Sequence, residues 1–364
     1  MERILAIQVK QIGDLVLTIP ALRVLRRRFP EARITLVVRE LCAPLAPLFP
    51  FVSEVLVHRP LTPNLRLAAL ALPPRYDLSL DFSGTDRAVY CTVLGRARKR
   101  ATFNKYAEGG FRKRVFNLPV KGQLRDRHAA DYCLALLAGA GIDDPGPEPL
   151  LLTLPPGVAD HLDWLLYDRR VGKLFSVVHP GTARQEKYWS AEKWSTLIGR
   201  LLERERGQIV ITGGRDPLER AHIEEILGRS SPAQRERIVD LSGRLTLLES
   251  AALISRARLV VGVDTAALHF AAGFRRPLVA LFGPTNPFQW GPRQENALVV
   301  MPGQPEPLSA IDFRPETDLS PMSGLSVDQV EGAIARLAPF VAEDQVAGTR
   351  RAVPRKWQKQ VDHA

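Results

Sequence analysis

Residues 258–292, RLVVGVDTAALHFAAGFRRPLVALFGPTNPFQWGP, decide the fold class. The run 258–263 reads as a buried strand. Asp264 and Thr265 then open a helix carrying Ala266, Ala267, His269, Ala271 and Ala272. A second apolar strand, 278–282, ends in Gly283-Pro284-Thr285-Asn286. Small residues let a ligand approach the backbone. A helix N-terminus presents unpaired N–H groups and partial positive charge, which suits phosphate. Asp264 accepts either from those same N–H groups, as a helix cap, or from a ligand hydroxyl.

Outward from this unit the same alternation recurs. Strands are expected at 173–178 and 208–212, the latter ending in Gly213-Gly214, with helices at 191–205 and 246–255. In the first half, strands are expected at 3–9, 33–38, 52–58 and 77–82. A helical pattern over 14–29 is kinked or restarted at Pro20, which lacks an N–H donor. Segment 141–157, GIDDPGPEPLLLTLPPG, breaks the pattern and reads as an interdomain linker. Residues 302–321 form a proline-bearing crossing segment. A helix over 326–340 follows, with Ser326 as cap and Gln329 three residues on. The expectation is two doubly wound α/β domains, 1–155 and 156–340, and a basic tail, 341–364. Such a tandem puts a cleft between the carboxyl ends of two sheets. That architecture predicts a two-substrate enzyme or a hinged binding protein.

Composition narrows the class. The 364 residues suffice for two ordinary cores, and 45% hydrophobic with 24% charged residues describes a soluble globular protein. No apolar run reaches the roughly 20 residues that span a bilayer, and MERILAIQVKQIGD lacks a signal-peptide layout. Cys42, Cys91 and Cys133 are odd in number and far apart, which suits reduced thiols. A net charge of +11 favours anionic partners. No zinc pattern, aromatic RNA-binding strand or heptad array marks a nucleic-acid module, and no nucleic-acid partner is expected.

Three places carry chemistry. Gly13-Asp14 follows the first strand and starts a helix; Asp14 is either a cap or a general base facing the cleft. The loop is neither GxGxxG nor a P-loop. The loop from His179 to Trp189 holds Thr182, Arg184 and Lys187, where Lys187 can neutralise a diphosphate leaving group and Thr182 can donate to it. Otherwise it is a solvated charged loop. Trp189 and Trp194 read as core or loop anchors. His269 lies five residues after Asp264, as a structural hydrogen-bonder or a site residue. No HExxH-like metal spacing and no GxSxG elbow occur.

Taken in order, these motifs resemble glycosyltransferase family 9, the bacterial ADP-heptose:lipopolysaccharide heptosyltransferases. The resemblance covers about residues 1–340. It is carried by the opening ILAIQVKQIGDLVLTIPALRVLRRRFPEARITLVV, by DFSGTDRA at 81–88, HPGTARQEKYWSAEKW at 179–194, ITGGRDPLE at 211–219, the run 240–273 and LFGPTNPFQWGP at 281–292. It implies the GT-B fold, two Rossmann-like domains with the active site between them. It further implies an inverting, metal-independent transfer with no cofactor, the ADP-sugar being a co-substrate. Asp14 would be the general base and Lys187 would assist the leaving diphosphate. Gly13, Thr182, Lys187, Asp264, Thr265, the amide of Ala266 and His269 would contact the ADP-heptose donor. The chain departs from the family pattern at Gln8, Lys10 and Gln11, where many members have a basic residue and then small hydroxyl residues, and at Ala266, where many have glycine.

The resemblance also implies a lipid-linked anionic glycan acceptor and a cytoplasmic enzyme peripherally bound to the inner membrane. Basic clusters suited to an anionic surface are Arg26-Arg27-Arg28, residues 96–100 (RARKR), Arg112-Lys113-Arg114, and Arg350, Arg351, Arg355, Lys356 and Lys359 with Trp357. The first two read equally as solvated helix faces.

Overall fold

The structure, a computed structural model, describes residues 1–59, 75–142, 146, 148–204 and 206–341. The tail beyond 341, with its basic cluster and Trp357, lies outside the described residues. The chain divides into two compact units, Met1–Leu152 and Thr153–Ala364.

The first unit holds six parallel strands: β1 (Arg3–Gln8), β2 (Arg33–Arg39), β3 (Glu54–His58), β4 (Leu78–Asp81), β5 (Lys99–Phe103) and β6 (Leu118–Val120). Their order is β3-β2-β1-β4-β5-β6. Ile4 to Ile7 are fully buried without alternation, because helices cover both faces of a parallel sheet. The second unit repeats the plan with β7 (Phe175–His179), β8 (Gln208–Ile211), β9 (Ile238–Asp240), β10 (Val260–Val263), β11 (Leu278–Leu281) and β12 (Ala297–Val300). Its order, β12-β11-β10-β7-β8-β9, is the same topology. Both are the Rossmann order, so strand order reverses at β1/β4 and at β7/β10. Ligands of such sheets bind at the carboxyl ends of those strands.

Helix placement follows local chemistry. The first helical stretch is two helices, Ile12–Leu17 and Ile19–Arg28, joined at Thr18. Pro20 sits at the second position of the latter, where its missing N–H costs nothing. Helix Ala191–Arg204 buries Trp194, Leu197, Ile198, Leu201 and Leu202, an i, i+3, i+4 stripe. Trp189 packs edge-on against Trp194 and donates Nε1–H to the Leu325 carbonyl at 2.9 Å, so both indoles are core anchors. Helix Val327–Arg336 has the expected Ser326 cap with Gln329.

Of the two basic clusters read as solvated helix faces, 26–28 ends a helix with Arg27 and Arg28 exposed, whereas 96–100 is not a helix face. In 96–100, Arg96 closes the helix Asp86–Gly95 in a left-handed conformation and Lys99 and Arg100 begin β5. Arg100 donates to the carbonyls of Val115 and Ala97. Arg26 and Arg27 bind the Phe51 carbonyl and Glu148.

Candidate active site

In the first unit, chemistry collects at the β1/β4 reversal. Ile7 of β1 pairs in register with Asp81 of β4. Beyond β1, the Val9 N–H donates to Ser83 Oγ at 2.8 Å, and Ser83 Oγ donates to Gln8 Oε1 at 3.2 Å. These bonds tie the first loop to the loop after β4. The helix begins at Ile12, with Gln11 in the cap position. Asp14 is therefore its third residue and Gly13 its second, not a cap and a preceding turn. Asp14 accepts one long bond, 3.3 Å, from the Gln11 N–H. It stays partly exposed, so most of its lone-pair capacity is open to a ligand. Burial raises its pKa above the usual carboxylate range, and the Lys10 ammonium and the Gln11 N–H partly oppose that.

Asp81 is the second carboxylate of this region, and sequence reading assigned it no role. It is fully buried and accepts from the N–H groups of Ser83 (2.8 Å) and Gly84 (2.9 Å) and from Thr102 Oγ1 (3.3 Å). Desolvation still pushes its pKa up to about 6. Gly84 has φ +65°, and a Cβ there would lie 2.2 Å from the Tyr106 ring, so only glycine fits. Lys10 Nζ stands 5.6 Å from that ring's centroid and lowers the pKa of both Asp14 and Asp81. Gln8, by contrast, is buried and donates to Thr18 Oγ1 at 3.0 Å. Lys10 is thus a cation acting on both carboxylates of this region.

In the second unit, the β7/β10 reversal gathers residues far apart in sequence. Lys187 lies in the short turn Gln185–Lys187, after β7. Its Nζ meets Asp264 Oδ2 at 2.6 Å and the Asp264 carbonyl at 3.3 Å. Thr285, after β11, donates Oγ1–H to the same Oδ2 at 2.9 Å. The Lys187 and Asp264 side chains are only 12% and 9% exposed, so this is a buried ion pair. Thr265, not Asp264, caps the helix Ala266–Gly273, accepting from the Ala267 N–H at 3.3 Å. Asp264 stands just outside the helix, and Ala266 opens it with an N–H that helix geometry leaves unpaired. His269 is buried one turn further on. Desolvation lowers its pKa to about 4, so it is a neutral imidazole. Thr182 sits partly exposed in the β7 loop. Among the described residues, no hydrogen bond joins it to Lys187 or Asp264.

Sequence reading also missed Glu219, a buried carboxylate in the first turn of the helix Pro217–Gly228. It packs against Gly181, where a Cβ would come within 2.3 Å of Glu219 Cγ. Burial raises its pKa, against the Gly214 N–H. Its carboxylate also lies against Gly213 and Gly214, after β8. Its only signal in sequence was the glycines it needs as neighbours. His179 pairs through Nδ1 with Thr212 Oγ1 at 2.8 Å. Among the described residues, no three His, Cys, Asp or Glu side chains group as a metal site.

Comparison with known proteins agrees with this layout. Residues 75–310 match glycosyltransferase family 9 (heptosyltransferase). The chain is 26% identical over 341 residues to lipopolysaccharide heptosyltransferase 3 of Escherichia coli, covering 90% of this chain and 96% of that one. A glycosyltransferase family 9 crystal structure from Veillonella parvula superposes with a TM-score of 0.78 at 21% identity, over 94% of this chain and 98% of that one. The E. coli heptosyltransferase WaaC with ADP-2-deoxy-2-fluoro heptose gives 0.66 at 20% identity, over 92% and 99%. With two Rossmann sheets of the GT-B kind and polar clusters at both strand reversals, the chain belongs to glycosyltransferase family 9, the heptosyltransferases, and is a glycosyltransferase.

Proposed function

We propose that this enzyme moves a heptose from ADP-heptose to an anionic, lipid-linked glycan of the lipopolysaccharide-core type, with inversion and without a metal ion. The buried Lys187–Asp264 pair beside the N-terminus of the helix Ala266–Gly273 carries this reading. It offers a departing diphosphate an ammonium and the first-turn N–H of Ala266, both able to stabilise its negative charge. In this reading Thr182, Thr265, Ala266 and His269 line the donor, His269 as a neutral group, and Glu219 accepts from the ribose.

Asp14 takes the proton from the acceptor hydroxyl. The freed oxygen attacks the anomeric carbon, and the sugar–phosphate bond breaks as ADP leaves. Burial raises the Asp14 pKa, which makes it a stronger base. Relatives named as lipopolysaccharide heptosyltransferases, and a neighbour bound to an ADP-heptose analogue, support this choice of donor and acceptor.

The test is transfer from ADP-heptose to a core acceptor, followed by ADP release, with UDP-glucose as control. Saturable release from ADP-heptose in EDTA supports the proposal. Activity lost in EDTA and restored by magnesium or manganese would sink the metal-free reading, and a preference for UDP-glucose would sink the donor assignment.

Membrane docking belongs to the same proposal. No described helix is long and apolar enough to cross a bilayer. Arg98, Lys99, Lys113 and Arg114 are exposed, as is Phe111. Arg100 and Arg112 are instead engaged within the fold. Each cation near an anionic surface contributes roughly 1 kcal/mol. Neutralising the four exposed cations should therefore weaken binding to anionic vesicles at low salt. Unchanged vesicle binding would refute this.

A further inference from the structure

The Asp264 carboxylate is held asymmetrically. Lys187 Nζ and Thr285 Oγ1 both end on Oδ2, at 2.6 and 2.9 Å. Among the described residues, none donates to Oδ1. The two donors are unlike. Lysine is long and mobile, and its ammonium is the group an arriving diphosphate competes for. Threonine is short and β-branched, with few rotamers.

The segment carrying Thr285 is also braced independently of Lys187. Asn286 is buried, donates Nδ2–H to the carbonyls of Arg314 (2.9 Å) and Pro315 (3.0 Å), and accepts from the Phe288 N–H at 2.9 Å. Pro284 and Pro287 flank the pair, and Gly283 is packed so closely that a Cβ would sit 2.6 Å from Met322 Sδ. A side chain meant to orient another group needs such rigid support.

We infer that Thr285 is a positioning residue: its hydroxyl fixes the Asp264 carboxylate so that Oδ1 is presented to a hydroxyl of the nucleotide-sugar. When Lys187 turns to the diphosphate, Thr285 alone keeps Asp264 aligned and keeps one hydrogen bond on its charge. This inference rests on the reading of Asp264 as a donor contact.

The experiment measures equilibrium binding of ADP-heptose, without acceptor, to four variants, with thermal melting as the check on folding. Thr285→Val keeps shape and removes the hydroxyl; it should weaken binding about tenfold, the scale of one hydrogen bond to a charged group. Thr285→Ser keeps the hydroxyl and should stay within about twofold of the parent. Asp264→Ala should also weaken binding. On that background Thr285→Val should add less than about twofold, because the group it orients is gone. Thr285→Ala repeats the test if the valine variant fails to fold. A purely structural threonine would show neither serine rescue nor this non-additivity. The inference is overturned if Asp264→Ala weakens binding while Thr285→Val does not, if serine fails to rescue, or if the valine penalty persists in full without Asp264. Undiminished binding by Asp264→Ala would instead overturn the donor-site reading, and this inference with it.

Discussion

Replacing Lys187 by methionine keeps the stem and removes the charge that faces Asp264 at 2.6 Å. The carboxylate, 9% exposed, would then rely on Thr285 alone. Breaking a buried pair from one side costs about 3–5 kcal/mol, because an uncompensated charge stays behind. Thr285's remaining bond places Lys187→Met at the lower end, about 3 kcal/mol. For a domain of this size each kcal/mol moves the melting temperature by about 2–4 °C, so a fall of about 6–12 °C is expected. Adding Asp264→Asn should recover most of the loss, because the amide carbonyl still accepts from Thr285 without a charge. Tryptophan fluorescence is the assay: Trp164, Trp189, Trp194 and Trp290 all lie in the second unit, and no tryptophan lies in the first. A single variant melting within about 1 °C of the parent, or a double variant less stable than the single, would refute the claim that this is a buried, mutually dependent pair.

Asp14→Asn preserves the acceptor for the Gln11 N–H but cannot take a proton; turnover should fall about 10²–10⁴-fold with ADP-heptose affinity little changed, and near-full transfer would reduce Asp14 to a helix residue. Burial holds His179 and His269 at about 4 against an ordinary 6.5, so the unfolded chain binds more protons between those values. The second unit should therefore keep full stability above about pH 6.5 and lose it as pH falls toward 4, by on the order of 3 kcal/mol per imidazole; equal urea midpoints by tryptophan fluorescence at about pH 7.5 and about pH 5 would contradict this. Asp81 works with the opposite sign in the first unit. Its pKa is raised from 3.8 to about 6, so its contribution is complete below about 4 and is lost as pH rises through about 6; Asp81→Asn should flatten that slope in urea titrations followed by circular dichroism, and an unchanged slope would show that Asp81 is not its source. Gly181→Ala should displace the Glu219 carboxylate and weaken ADP binding, which calorimetry would detect; unaltered affinity would remove Glu219 from the donor site.

Much of the fold was legible because the signals are local. Apolar runs without alternation marked β1, β2, β7, β10 and β11, and the Ser326–Gln329 box and Pro20 marked helix starts within a residue or two. Strand–helix alternation then implied parallel sheets, and topology placed the loops after β1, β7 and β10 at ligand-binding ends. The sequence reading found no strand at β5, β6, β9 or β12. Three of these have an evident reason: β5 opens with Lys99-Arg100, β6 is a three-residue edge strand containing Pro119, and β9 is three residues long. The fourth, Ala297–Val300, is a run of only four apolar residues, too short for periodicity to tell strand from helix.

The amino-acid order by itself determined which residues could carry chemistry: carboxylates after strands, a cation in a glycine-bearing loop, small residues opening a helix. It did not determine their partners. Lys187 reaches Asp264 across 77 positions and Thr285 reaches it across 21, so only chain folding could reveal that both meet one carboxylate oxygen. Nor could it separate Asp14, partly exposed on a helix turn, from Asp81, sealed behind two N–H groups and a threonine. Both are aspartates near strand ends, and what distinguishes them is desolvation, a property of every atom packed around them. Secondary structure follows from neighbours along the chain, whereas hydrogen-bond partners, burial and the pKa values they set follow from neighbours in space.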